Sequence, residues 1–171
     1  SGTTSIPSDP ACITTPYQPT CYPIGNGTGT CYTHPFNTYY NYSYTQQIYK
    51  ATEIGAQSGN IVALTFDYFY TSPITMNDIT VYMANVNRET FASSSDWLPG
   101  SELTQVFHGS VYCSNAYSNK VTINFDDIFE WDGHSNILVA IVNSQGSYEN
   151  SNPRFYTHTP SGNTVLHAYN D

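Results

Sequence analysis

The sequence predicts an all-β fold and favours a jelly-roll-like antiparallel β-sandwich of about eight or nine strands. Residues 137–142 are six consecutive apolar residues, a pattern typical of a strand that is buried on both faces. Residues 61–70 alternate between two sets of side chains, as expected for a long strand with two different faces. No apolar stripe of helical period extends beyond about two turns, so we expect no long helix.

Three other architectures fit the sequence less well. Propellers and solenoids need internal repeats of about 20 to 50 residues, and this chain shows none on inspection. Immunoglobulin domains are shorter, about 100 residues, and carry a Cys–Trp–Cys spacing that is missing here. The jelly roll therefore remains the favoured sandwich.

The strands have recognisable boundaries. Pro73 ends the long strand that starts at residue 61, and residues 87–102 have no clean period and predict a long loop. The turn at residues 160–163 predicts a hairpin between the last two strands. Residues 126–132 predict an acidic, aromatic turn before the central strand. The predicted strands cover residues 43–49, 61–72, 77–86, 105–113, 121–126, 137–142, 154–158 and 164–169.

The first 30 residues predict an N-terminal arm or linker, with a single β-sandwich domain over residues 31–171. Five prolines and a Gly-rich run exclude a helix or a central strand from residues 1–30. Four cysteines occur without a CxxC pair, which disfavours a zinc site and favours disulfides. Of the three possible pairings we favour Cys12 with Cys21, as a staple of the arm, and Cys31 with Cys113; the alternative is free thiols.

Composition excludes some partners and suggests a location. The net charge of -9 with only four basic residues disfavours nucleic acid and anionic membranes. No apolar run approaches the length needed for membrane insertion, and the first ten residues lack the pattern of a signal peptide, so we expect a mature fragment. The cysteines and the abundance of Asn, Ser and Thr indicate an extracellular or cell-surface location.

Several stretches resemble a known group of proteins. The run IGNGTGTCYTHPFNTYYNYSYTQQIYKATEIG, with ITVYMANVNRETF, DWLPGSELTQVFHGSV and FEWDGHSNILVAIVN, is similar to β-sandwich modules of large secreted and surface proteins of Bacteroidetes-type bacteria. The resemblance covers roughly residues 24–170. It implies a non-catalytic module, for adhesion or support, in a larger parent with peptidase or adhesin regions and a C-terminal sorting domain. The cysteines depart from that pattern, and no sorting domain follows Asp171.

Catalytic and metal signals are weak. No GxSxG, HExxH or similar nucleophile motif occurs, so a glycoside hydrolase or other hydrolase is the less favoured reading. Four acidic residues between positions 126 and 132 invite a calcium site, although their spacing does not fit an EF-hand loop. Asp132, beside the flexible Gly133, is the best single metal candidate, and a solvated acidic turn is the alternative.

Aromatic residues carry the strongest functional signal. The chain has 16 Tyr, 8 Phe and 2 Trp, and tyrosine offers a flat platform with a polar tip, which suits a sugar ring. The same tyrosines also suit strands and the core, so that alternative stays open. The predicted ligand-binding residues are Tyr40, Tyr42, Tyr70, Trp97, Trp131 and Asp132.

Two function classes follow from these signals. The first is a non-catalytic binding module for a glycan or for a host or cell-surface protein. The second is a structural spacer or protein–protein adhesion module that presents neighbouring domains of a larger protein.

Overall fold

In a computed structural model, residues 19–69, 72–114, 119–149 and 153–171 are described. They contain nine strands and one short helix, α1 (Ala51–Ile54), which confirms the predicted strand number and the expectation of no long helix. No helix within these ranges is long and apolar enough to cross a lipid bilayer. The strands are β1 (Gly29–Cys31), β2 (Tyr42–Tyr49), β3 (Gly59–Phe69), β4 (Ile74–Val86), β5 (Thr104–Cys113), β6 (Lys120–Trp131), β7 (Asn136–Asn143), β8 (Arg154–Thr157) and β9 (Val165–Asn170).

The strands form two antiparallel sheets, which confirms the predicted sandwich. One sheet has the order β1-β8-β3-β6, and the other has the order β5-β4-β7-β2-β9. The hydrogen-bonded neighbours therefore include the nested pairs β1/β8, β2/β7, β3/β6 and β4/β5. This nesting of eight strands into two sheets is the jelly-roll arrangement. Strand β9 extends the larger sheet next to β2.

The predicted hairpin between the last two strands is wrong. Strand β8 pairs with β1 and β3 in the smaller sheet, whereas β9 pairs with β2 in the larger one. Each strand buries its apolar residue in a different layer: Phe155 packs between the sheets, and Leu166 packs on the outer face of the larger sheet. The turn residues between them permit a reversal, but burial of these two side chains decides which partner each strand takes.

The centre of the larger sheet, at β7, is buried on both faces, as the apolar run of this strand predicts. Ile137, Val139 and Ile141 face the layer between the sheets, whereas Leu138 and Ala140 belong to a second apolar cluster on the outer face. The predicted loop over residues 87–102 is observed, except for a short 3-10 turn at Gly100–Glu102, and residues 87–103 supply the cover for this outer face. We call this segment the covering loop.

A buried glutamine attaches the covering loop to β2. Gln46 is fully buried, and its side-chain Oε1 accepts a hydrogen bond of 2.8 Å from the backbone N–H of Leu98. Its Nε2 donates to the backbone carbonyl of Leu98 at 2.9 Å and to the Tyr44 hydroxyl at 2.7 Å. One side-chain amide therefore satisfies both backbone groups of a residue in the loop, much as a strand neighbour would.

The end of the predicted arm lies against β8. Gly27 has so little room that a Cβ there would clash with the backbone of Thr157 and His158. Strand β1 follows directly and pairs with β8 from Gly29 onward. The structure describes the arm from residue 19 onward. The predicted division between arm and domain at residue 30 stays a prediction.

Candidate functional site

Four tyrosines form a continuous aromatic surface, which we call the tyrosine patch: Tyr39, Tyr40, Tyr148 and Tyr169. The rings of Tyr40 and Tyr169 are stacked with centroids 3.9 Å apart and planes 11° apart. Tyr39 meets Tyr40 edge to face at 5.2 Å, and Tyr148 lies 6.4 Å from Tyr39. Three of these residues are strongly exposed, with Tyr148 at 60%. The patch therefore presents aromatic rings to solvent, and Tyr40 is its half-buried centre.

The first two tyrosines are placed by a buried asparagine. The side-chain Oδ1 of Asn37 accepts hydrogen bonds from the backbone N–H groups of Tyr39 (2.8 Å) and Tyr40 (3.3 Å). The backbone carbonyl of Asn37 accepts a bond of 3.0 Å from Nδ2 of Asn143, the last residue of β7. The turn that carries these tyrosines is thus fixed to the central strand of the larger sheet.

The third tyrosine is brought in by the connection after β7. The backbone N–H of Gly146 donates to the Asn41 carbonyl at 3.1 Å, and that of Glu149 donates to the Thr38 carbonyl at 2.8 Å. These two bonds lie on either side of Tyr148 in the chain and hold it beside Tyr39. Three separate segments, before β2, after β7 and in β9, therefore supply the patch.

The charge around the patch is negative. The pKa of the Tyr40 hydroxyl is raised above its usual value, mainly by a hydrogen bond with Tyr169. The negative charge of the nearby Asp171 carboxylate raises this pKa further. Glu149 directly follows Tyr148 in the chain. Neutral tyrosine hydroxyls bordered by carboxylates can exchange hydrogen bonds with a polar, uncharged ligand and would repel an anionic one.

Of the two predicted tyrosines that the structure describes, Tyr40 belongs to the patch and Tyr42 does not. Tyr42 is exposed but is registered with Asn170, whereas Tyr169 is registered with Ser43, so Tyr42 and Tyr169 lie on opposite faces of the sheet. Tyr70 lies outside the described residues. The sequence therefore identified the right region, just before and at the start of β2, and the strand register separates its tyrosines.

Trp97 is part of the covering loop. It is half-buried, and its ring stacks on Tyr44 with centroids 5.0 Å apart and planes 25° apart. It packs against the outer apolar cluster of the larger sheet, next to the buried Leu98. This position fits a residue that packs the loop onto the sheet better than an open ligand platform.

Trp131 does not offer an open platform, which corrects its choice as a ligand-binding residue. It is the last residue of β6, is only 4% exposed, and belongs to the core between the sheets. Its indole N–H donates a 2.8 Å hydrogen bond to the Ser135 carbonyl. The ring thus packs in the core while its polar edge is satisfied by the following turn.

Asp132 closes that turn. Its Oδ1 accepts bonds of 2.7 Å from the backbone N–H groups of His134 and Ser135, and its Oδ2 accepts one of 2.6 Å from the Ser135 hydroxyl. These bonds lower the pKa of the carboxyl to about 2, the Ser135 hydroxyl first among them. Both carboxylate oxygens are therefore engaged in local structure.

The rest of the predicted acidic turn is strand. Residues 126–131 continue β6, so the correction is that the turn starts only at Asp132. Asp126 accepts a 2.9 Å hydrogen bond from the backbone N–H of His108 on β5. Within the described ranges, no group of three or more His, Cys, Asp or Glu side chains is arranged to hold a metal ion.

The turn predicts a specific pH dependence. Because the folded pKa of Asp132, about 2, is below the unfolded value of about 3.9, its stabilising effect is fully present above about pH 4 and is lost as the pH falls through about 2. We expect NMR titration of the Asp132 carboxyl carbon to show the low midpoint. Ser135→Ala should raise that midpoint towards the ordinary value, because the largest stabilising bond is removed. An unchanged midpoint in this variant would contradict the assigned cause.

The predicted disulfides are wrong where the structure describes their cysteines. Cys21, Cys31 and Cys113 are free thiols, and Cys12 lies outside the described residues. Cys113 is fully buried at the end of β5, whereas Cys31 is half-buried at the end of β1. Burial raises the pKa of Cys113 to about 12, so this thiol behaves as a small core side chain. An even cysteine count therefore did not indicate pairing of the three cysteines that the structure describes.

Sequence reasoning missed three patch residues and the asparagine that places two tyrosines. Tyr39 adjoins a predicted site residue, and Tyr148 lies in a turn-rich segment beside Asn and Ser, which is a usable signal for an exposed aromatic. Nothing in the sequence indicates that Tyr169 stacks on Tyr40, because that contact depends on β9 joining β2.

No family model matches the chain, and comparisons with curated proteins and with solved structures give no significant match. The resemblance to secreted modules of Bacteroidetes-type bacteria therefore stays a prediction.

Proposed function

We propose that the chain is a non-catalytic, extracellular or cell-surface module that binds carbohydrate on the tyrosine patch. The observation that supports this proposal is the continuous, solvent-facing aromatic surface built by three separate chain segments. Exposed aromatic surface held by hydrogen bonds to the sheet is typical of binding sites rather than of incidental exposure. Because the three described cysteines are free thiols, the location rests on composition alone, namely few lysines and many Asn, Ser and Thr residues.

The patch suits a sugar for chemical reasons. The C–H face of a pyranose ring packs on a flat aromatic ring, and its hydroxyls need donors and acceptors at the rim. Tyrosine supplies both with few rotatable bonds, so little conformational entropy is lost on binding. The Asp171 carboxylate lies near enough to the patch to act on the Tyr40 hydroxyl, so an acceptor is available at its rim.

The charge favours a neutral glycan. The net charge of -9 and the carboxylates beside the patch disfavour sulfated, phosphorylated or polyanionic ligands. An open platform leaves much of a ligand in solvent, so we expect dissociation constants between micromolar and millimolar, about 4 to 8 kcal/mol of binding free energy. Repetition in a larger parent protein would raise the avidity.

The test is a glycan array followed by calorimetric titration of the glycans that respond. We expect Tyr148→Ala and Tyr169→Ala each to weaken binding by at least about tenfold, which is about 1.4 kcal/mol, because each removes a platform ring. Both side chains are exposed, so circular dichroism should show an unchanged fold.

Tyr112→Ala is the matched control for this test. Tyr112 is 57% exposed and lies on β5, at the opposite edge of the larger sheet from β9. We expect its removal to leave binding unchanged. Equal losses in all three variants would move the site away from the patch, and a flat response to every glycan would favour the spacer or protein-adhesion alternative. Release of reducing sugar by the purified protein would overturn the non-catalytic assignment.

A further inference from the structure

Cys31 belongs to a cluster of three side chains at the end of β1. Its sulfur lies 3.4 Å from Nδ1 of His34 and 2.9 Å from the Thr33 hydroxyl oxygen. The backbone N–H of Thr33 also donates to this sulfur, at 3.3 Å. The Thr33 hydroxyl is 3.2 Å from the same His34 nitrogen, so it contacts both the thiol and the imidazole. A nucleophile, a base and a group that orients both are thus within hydrogen-bond reach.

The cluster favours the ionised thiol. Partial burial opposes ionisation of Cys31, but hydrogen bonds from His34 and Thr33 and the charge of His34 outweigh it and lower the pKa to about 6. The contrast with Cys113, whose pKa is raised by burial, shows that the environment rather than the residue type decides. At neutral pH the Cys31 sulfur is therefore largely thiolate, the form that reacts.

Strand β8, which pairs with β1 beside this cluster, carries one charged residue. Phe155 of β8 is registered with Cys31, and the neighbouring Arg154 lies with its guanidinium 5.9 Å from the centre of the Tyr32 ring. Side chains alternate along a strand, so Arg154 lies on the opposite face of the sheet from Phe155 and Cys31. His34 is thus the titratable partner in direct contact, and Arg154 is the nearest fixed charge on β8.

We propose that Cys31 is a nucleophilic modification site that forms a mixed disulfide with a low-molecular-weight disulfide, with His34 and Thr33 as positioning residues. The thiol proton passes from the sulfur to Nδ1 of His34. The thiolate then attacks one sulfur of the small disulfide, a new S–S bond forms to Cys31, and the original S–S bond breaks. Its electron pair leaves with the second sulfur, which takes a proton from solvent. The small disulfide is the oxidant, and no other co-reactant is needed.

The experiment uses the full chain with Cys12→Ser and the neutral reagent 4,4'-dithiodipyridine, because a neutral probe is not repelled by the negative protein. The release of thiopyridone is followed by stopped flow between pH 5 and 9, and peptide mass spectrometry locates the adduct. At pH 6 we expect Cys31 to react about tenfold faster than an ordinary thiol, since its larger thiolate fraction outweighs its lower intrinsic nucleophilicity. The midpoint of the rate profile should lie near the pKa of about 6.

Four variants separate the proposal from a purely structural role. Cys31→Ser should remove the fast phase, whereas Cys21→Ser should leave it. His34→Gln should move the midpoint of the rate profile upward and slow the reaction at pH 6 about tenfold. His134→Gln is the control, because His134 is an exposed histidine in the turn before β7.

If His34→Gln fails to fold, Thr33→Val tests the same cluster, and it should also move the midpoint upward. An adduct shared equally between Cys21 and Cys31, or a Cys31 midpoint near about 8.5, would overturn the proposal. So would a profile that His34→Gln and Thr33→Val both leave unchanged in folded protein. None of these outcomes depends on glycan binding.

Discussion

Trp131→Ala is expected to lower the free energy of unfolding by about 3 to 5 kcal/mol, the range found for large aromatic residues removed from a core. The side chain is nearly inaccessible, packs between the two sheets, and donates its indole N–H to the Ser135 carbonyl. The substitution leaves a cavity and a carbonyl without its donor. Equilibrium denaturation in urea, followed by far-ultraviolet circular dichroism, measures the loss.

Two further variants separate the contributions of this residue. Trp131→Phe keeps most of the apolar volume and removes the hydrogen bond, so its effect should be clearly smaller than that of Trp131→Ala. Tyr112→Ala, at an exposed position, should change stability by no more than about 0.5 kcal/mol. If Trp131→Ala lowered the free energy of unfolding by less than about 1 kcal/mol, the buried position would be contradicted, and Trp131 would again be a candidate ligand platform.

Gln46→Ala is expected to destabilise the protein by about 2 to 5 kcal/mol, because it removes the amide that satisfies both backbone groups of Leu98. Each buried backbone group that is left without a partner costs about 1 to 3 kcal/mol. The covering loop also loses its attachment to β2, so the outer apolar cluster becomes easier to expose. Urea denaturation gives the energy, and limited proteolysis within residues 87–103 reports the release of the loop.

The role of the amide can be separated from that of the volume. Gln46→Met keeps an unbranched side chain of similar size but makes no hydrogen bonds. If the bonds to Leu98 matter, this variant should show most of the loss in unfolding free energy that Gln46→Ala shows. Gln105→Ala, at an exposed glutamine on β5, is the matched control and should be near neutral. Full recovery of stability in Gln46→Met would show that packing, not hydrogen bonding, is the main contribution of Gln46.

Strands could be predicted from the sequence because burial leaves a local pattern. The two-sided burial of β7 is visible in its unbroken apolar run, and this run already implied that something covers the outer face. The identity of the cover, the covering loop, was not predictable, since residues 87–103 have no period of their own. The pairing of β8 and β9 with different sheets was also out of reach, because the turn between them is compatible with a hairpin.

The candidate site was predictable only in part. Tyrosines around the start of β2 stand out in the sequence. Because side chains alternate along a strand, however, the register of β2 with β9 places Tyr42 and Tyr169 on opposite faces of the sheet. Tyr40 instead stacks on Tyr169 of β9. Trp131 and Asp132 were predicted to be an exposed aromatic–acid pair because the surrounding sequence is acidic and rich in turn-forming residues. The structure instead continues β6 through Trp131, which directs its ring into the core.

The nested pairing of the strands also determines which strand pairs can form during folding at a low cost in loop-closure entropy. The β4/β5 pair needs only residues 87–103 to be closed into a loop, whereas the β1/β8 pair spans residues 32–153. Loop-closure entropy rises with the length enclosed, so a chain that forms the inner pair first shortens the effective loop of each pair outside it. Such non-local topology is associated with slow folding. Strand β1 can therefore pair with its neighbour only when residues 154–157 have been made and have docked.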